Sequence, residues 1–150
     1  MSFIRKYAQR YNLPTRAGAD GGARKSFRRK ILDAADRQLA QLDRLRTAAD
    51  LDYNPAGGSR RWWWSARAAD GRRTIKIYVQ GALLEGDATG VVVDDSVEAV
   101  RAEVERIRRF IESTSDADWE DEERRRREAR ERWKQRDRER SLERRKSSRR

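Results

Sequence analysis

Between Arg60 and Gln80 the chain sets flat rings and cations at regular spacing, with Arg61, Trp63 and Arg67 before an Asp70-Gly71 pair and Lys76 and Tyr78 after it. Rings of this kind can stack on nucleobases, and guanidinium or ammonium groups beside them can bind phosphates. For these groups to act together, the two stretches must pair. Asp70-Gly71 signals a two-residue turn with positive φ at both positions. Pairing Ala69 with Arg72 then sets Trp64 opposite Ile77, Trp63 opposite Tyr78 and Trp62 opposite Val79. Because neighbours along a strand point to opposite faces, one face gathers Trp62, Trp64, Ala66, Ile75, Ile77 and Val79. The other gathers Arg61, Trp63, Ser65, Arg67, Thr74, Lys76 and Tyr78. A slip of one residue would mix the two sets. The competing account of Trp63 is ordinary packing, under the preceding helix or across a dimer interface.

A second cationic group, Arg24, Lys25, Arg28, Arg29 and Lys30, opens a helical pattern. The helix dipole favours acids there, so these charges either meet an external anion or simply face solvent. Catalytic chemistry has little to draw on. The 150 residues include no histidine and no cysteine, which removes the commonest metal ligand, the usual general base and thiolate nucleophiles. Asp94 and Asp95 stand at a strand end without a completing acid or lysine, and Gly86 to Gly90 lacks the lysine of a phosphate-binding loop. No cofactor and no metal site is expected.

The elements that would position these residues follow from periodicity. Phe3, Tyr7 and Tyr11, with Arg5, Lys6 and Arg10 between them, fit a short basic amphipathic helix within an arm at residues 1–23. A membrane-surface anchor, an organelle presequence, a nucleic-acid arm and a plain disordered tail are its competing readings. Pro14 and the glycine-rich run from Ala17 to Gly22 end it. Leu32, Ala35, Leu39 and Leu42 predict a helix between Ala23 and Asp50. Ala82 to Glu85 and Val91 to Asp94 read as strands, with a bulge or tight corner at Gly81. Asp95 and Glu98 resemble a capping box before the stripe Val97, Val100, Val104, Ile107 and Ile111. Asp116 to Arg150 is nearly all charge, with acid-to-base pairs four apart from Glu120–Arg124 to Glu128–Arg132, which predicts an exposed helix that frays at its end. The expected fold class is α+β: an N-terminal helix, an antiparallel β-meander of three to four strands, a covering helix and a long charged C-terminal helix. The domain would occupy residues 24–112 and the helical tail 113–150.

Net charge is +11, and it is unevenly placed. Residues 1–30 hold 9 Lys/Arg and one acid, residues 31–115 hold 13 and 14, and residues 116–150 hold 15 and 11. A balanced body with basic ends suits polyanion binding. Arginine outnumbers lysine 31 to 6, which favours bidentate phosphate contacts but also follows from a GC-rich genome. No apolar run reaches the ~20 residues of a membrane span, so an intracellular, soluble protein without membrane contact is expected.

The order of elements from Arg60 to Ile111 resembles the single-stranded DNA binding domain of the transcriptional coactivator positive cofactor four. The likeness is carried by Arg61-Trp62-Trp63-Trp64, Ile75-Lys76-Ile77-Tyr78 and Val91-Val92-Val93 before the Val97 helix. The resemblance implies a homodimer with paired helices that binds single strands. The long first helix, the charged tail and the short third strand depart from it. The layout also resembles small bacteriophage proteins with a tryptophan-rich strand and a terminal helix. Together these readings predict a non-enzymatic protein that binds single-stranded DNA or RNA with little sequence preference, through Arg61, Trp63, Arg67, Lys76, Tyr78 and the Arg24 to Lys30 cluster. The alternative is a structural or adaptor protein of a phage or mobile element that acts through protein contacts.

Overall fold

The computed structural model describes residues 3–14, 24–52 and 62–147. Helix α1, Phe3–Arg10, and the turn after it carry exposed Tyr7 and Tyr11, with their rings 4.8 Å apart. Helix α2, Phe27–Leu42, is shorter than its periodicity suggests, because local hydrogen bonds delimit it. The Ser26 hydroxyl accepts from the Arg29 N–H at its start. Beyond its end, the Asp50 carboxylate accepts from the N–H groups of Arg46 and Thr47 and turns the chain into a 3₁₀ segment at Ala48–Asp52. Such side-chain bonds compete with helix continuation.

Helix α3, Val97–Glu112, runs antiparallel to α2. Arg101 reaches Asp43 at 2.5 Å, Arg108 reaches Asp36 at 2.6 Å, and Arg28 donates to the Glu112 carbonyl at 3.0 Å, so the three links cross the seam in opposite chain order. Val100 and Val104 are fully buried along that seam with Ala35 and Leu42. The start of α3 departs from the expected capping box. Ser96 is the cap, accepting from the Ala99 N–H, and Asp95 is free to serve Arg73.

The sheet is mixed with helix as expected of an α+β chain, but it is not a meander. Strand β1, Arg72–Ile75, pairs antiparallel with β4, Val91–Asp94, from Arg72 opposite Asp94 to Ile75 opposite Val91. Between them β2, Tyr78–Val79, and β3, Ala82–Leu83, form a separate two-residue hairpin. Its central residues, Gln80 and Gly81, both have positive φ, of 53° and 80°, so the type I′ geometry expected at Asp70-Gly71 occurs here instead. At Asp70-Gly71 only Gly71 has positive φ. The Gly71 N–H bonds to the Ala68 carbonyl at 3.0 Å, and the Asp70 carboxylate accepts from the Arg72 N–H at 2.9 Å. This wider turn shifts the register by two residues, so that Trp64 bridges Ile75 rather than facing Ile77. A two-residue shift preserves facial parity, which keeps Trp64 and Ile75 on the core side.

Arg73 sits on that same inward side, 1% exposed. Its Nε donates to Asp95 at 2.6 Å and its Nη1 to Asp52 at 2.7 Å and to the Ser65 carbonyl at 3.1 Å. Its Nη2 donates to the Ala48 carbonyl at 3.0 Å. Burial works against its charge, yet Asp52 and Asp95 raise its pKa. One guanidinium thus ties the 3₁₀ segment, the Trp64 stretch, β1 and the approach to α3.

The long helix α4, Glu120–Ser147, is not wholly a tail. After a 3₁₀ turn at Asp116–Trp119, Trp119 is buried against Phe27, and Glu122 is buried too. Packing therefore crosses the expected boundary at residue 112. Of the five expected pairs four apart, Glu122–Arg126 forms among the described residues. Helical structure continues to Ser147. Residues 148–150, the glycine-rich joint and the 54–59 loop lie outside the described residues. Among those described, no helix is long and apolar enough to cross a membrane.

Candidate nucleic-acid interface

Docking of α4 creates a cationic surface that periodicity could not show. Arg126 donates to the carbonyls of Val79 at 2.8 Å, Ala82 at 3.2 Å and Leu83 at 3.1 Å, and its guanidinium lies 4.9 Å from the centre of the Phe27 ring. Glu122 accepts from Arg126 at 2.6 Å, from Arg125 at 2.7 Å and from the Glu85 N–H at 3.2 Å. Burial opposes ionisation of Glu122, but these donors hold its carboxyl below the usual range.

That shift has a defined sign. Stability from Glu122 is complete above the ordinary glutamate value and is lost as pH falls through the lowered native value. Thermal unfolding followed from neutral to acid pH should show the parent losing more stability than Glu122→Gln. Equal losses would mean that the carboxylate does not hold α4 to the hairpin.

Two clefts flank the β2–β3 tip. The first, between the start of α2 and α4, is lined by Arg24, Phe27, Lys30, Gln80, Glu123, Arg126, Arg127 and Arg130. Glu123 is the one carboxylate in that lining. Arg24, Lys30, Arg127 and Arg130 form no ion pair among the described residues. The second cleft, about 310 Å³, has Ala82, Leu83, Gly86 and Ala129 as apolar lining, with Gln80, Arg125, Arg126 and Arg130 around them. A third and more apolar cleft, about 380 Å³, lies between α3 and the Leu84 turn, with Phe110 68% exposed on its wall.

The expected site residues are dispersed. Trp63 is 1% exposed: its backbone N–H bonds to Gln38 at 3.0 Å and its indole N–H to the Tyr78 carbonyl at 2.9 Å. Its ring is part of the core beside α2 and offers no stacking face. Tyr78 is half-buried against the same cluster. Arg67 lies 3.5 Å from Asp95, Lys76 is half-buried, and Arg61 lies outside the described residues. The first basic group divides. Lys25 and Arg29 both hold Asp33, at 2.8 and 3.0 Å, and Arg28 is engaged with the end of α3, so Arg24 and Lys30 remain for the cleft. Arg127 and Arg130 were absent from the sequence-based site because a helix with balancing acids explains them locally.

Among the described residues no group of three or more acidic side chains is arranged to hold a metal ion. No protein family, curated protein or solved structure matches the chain.

Proposed function

We propose that the protein is a non-enzymatic nucleic-acid-binding protein that holds the phosphate backbone at the junction of α2, the β2–β3 tip and α4. The observation that carries this reading is the convergence of Arg24, Lys30, Arg127 and Arg130 on one cleft, none of them in an ion pair among the described residues. Unneutralised cations brought together by a fold repel one another, and a phosphate relieves that repulsion while releasing its own counterions. The placement of Lys30 in the first turn of α2, against the helix dipole, adds to the cost that an anion would offset.

Beyond the junction, α4 extends the cationic surface. From Arg124 to Ser147 it carries 13 Lys/Arg and 5 acids, and the whole helix spans about 42 Å. Its acidic first turn and basic last turn also suit its own dipole, so the distal charges need no ligand to explain them.

Affinity for a labelled oligonucleotide should fall steeply with salt. Changing both Arg127 and Arg130 to glutamine, which keeps helix propensity, should weaken binding and lower the log–log salt slope by about 1.4 for a single strand. Fluorescence anisotropy at several salt concentrations reads this directly. A slope unchanged in the double variant would reject the junction as the phosphate site.

A further inference from the structure

The second cleft beside the hairpin tip differs in chemistry from the first. Its apolar lining of Ala82, Leu83 and Ala129 gives no anion a partner, yet arginines surround it. At about 310 Å³ it falls at the small end of ligand-sized pockets. It shares Gln80, Arg126 and Arg130 with the phosphate cleft, so the two are adjacent halves of one surface.

Trp133 lies four residues beyond Ala129, on the same face of α4. Side chains on a helix lean toward its N-terminus and cover the preceding turn, so the indole, itself outside the cleft's lining, flanks it on the side of Ala129 and Arg130. It is 61% exposed, whereas Trp63, Trp64 and Trp119 are buried. The ring joins neither apolar cluster of the described residues.

Gln80 adds an independent observation. It occupies a left-handed position, φ 53°, where asparagine or glycine is preferred. Its exposed side chain carries both an amide donor and an acceptor where the two clefts meet. The turn gains nothing from the longer side chain, but a ligand with a polar edge would.

From these features we infer that the second cleft is the seat of an unpaired nucleobase. Trp133 supplies the stacking face, Gln80 hydrogen-bonds the base edge, and Arg24, Lys30, Arg127 and Arg130 hold the neighbouring phosphate. The inference rests on the nucleic-acid reading above and deepens it, because a base held inside a duplex cannot enter such a cleft. Stacking tolerates any base, so sequence preference should be slight.

Three fluorescein-labelled probes test it: a DNA single strand, the same strand with abasic sites in place of its bases, and its blunt duplex. The intact strand should bind about fivefold or more tighter than the abasic one, and tighter than the duplex at equal salt. Trp133→Leu and Ala129→Leu should each bring the intact strand close to the abasic level without changing the salt slope, while Trp133→Phe retains most of the difference. With an unlabelled strand, quenching of tryptophan emission should disappear in Trp133→Phe. Equal affinity for intact and abasic strands, or an undiminished difference in both leucine variants, overturns the base seat while leaving phosphate binding intact. Absence of salt-dependent binding to all three probes overturns both readings.

Discussion

Replacement of Arg73 by methionine is expected to lower unfolding free energy by about 3 kcal/mol, the loss typical when one partner is removed from a buried ion pair. Methionine fills much of the same volume, so the loss would come chiefly from what the guanidinium leaves behind. The Ser65 and Ala48 carbonyls lose their donor, and the mostly buried Asp95 is left with only the longer contact to Arg67. Asp52 is half-exposed and recovers water, which keeps the cost at the lower end of the range. The hydrogen bond from Arg73 is the leading cause that lowers the Asp52 pKa. Stability linked to Asp52 is therefore present above the ordinary aspartate value and declines as pH falls through the lowered native value. In Arg73→Met that part of the acid dependence should vanish. Urea unfolding followed by circular dichroism at neutral and acid pH measures both effects. An unfolding free energy within about 0.5 kcal/mol of the parent's would show that the hub is dispensable.

Trp63→Ala should cost about 3 to 5 kcal/mol, the range for deleting a large buried aromatic ring. The ring sits among the residues joining α2 to the sheet, and its indole N–H satisfies the Tyr78 carbonyl at 2.9 Å. Trp63→Phe loses that hydrogen bond but retains much of the ring volume, so its loss should be clearly smaller. The pair of variants separates packing from binding. A folded Trp63→Phe should bind oligonucleotides as the parent does, because the side chain it changes is enclosed. Weakened binding with unchanged stability would return Trp63 to the interface and contradict its burial.

Much of the local structure was legible. The Val97, Val100, Val104 and Ile111 stripe gives α3 with its buried face, and Val91 to Asp94 forms β4 with the expected bounds. Gly81 marks a tight corner, and Trp64 and Ile75 face the core as parity requires. These signals are local, since side-chain period and turn chemistry act within a few residues. Register was not legible to the residue, because a type I′ turn and the wider turn actually formed at Ala68 to Arg72 share the same Asp-Gly signal. The inward place of Arg73 follows from the parity that turns Ile75 inward. An arginine is expected inside only if carboxylates meet it there, and Asp52 and Asp95 lie 21 and 22 residues away in sequence.

The candidate site shows the same division. Cationic ends, a helix at Arg28 to Lys30 and a charged C-terminal helix were all readable from composition and period. Which ring stays in water was not: Trp63 stood on the face sorted as polar, and Gln38 and Tyr78 enclose it. Trp133, set in a stretch that is nearly all charge, is the tryptophan left exposed.

By itself the sequence determined the kind of most elements, the bounds of β4 and α3, the absence of histidine and cysteine chemistry, and the accumulation of positive charge toward both ends. Tertiary structure alone decided which of those charges are available. Lys25 and Arg29 are neutralised by Asp33 and Arg126 by Glu122, while Arg24, Lys30, Arg127 and Arg130 meet across a cleft between segments some hundred residues apart. The physical reason is that composition counts charges, whereas binding depends on the charges left unpaired once helices pack. That remainder is set by long-range contacts such as the docking of α4 on the β2–β3 hairpin.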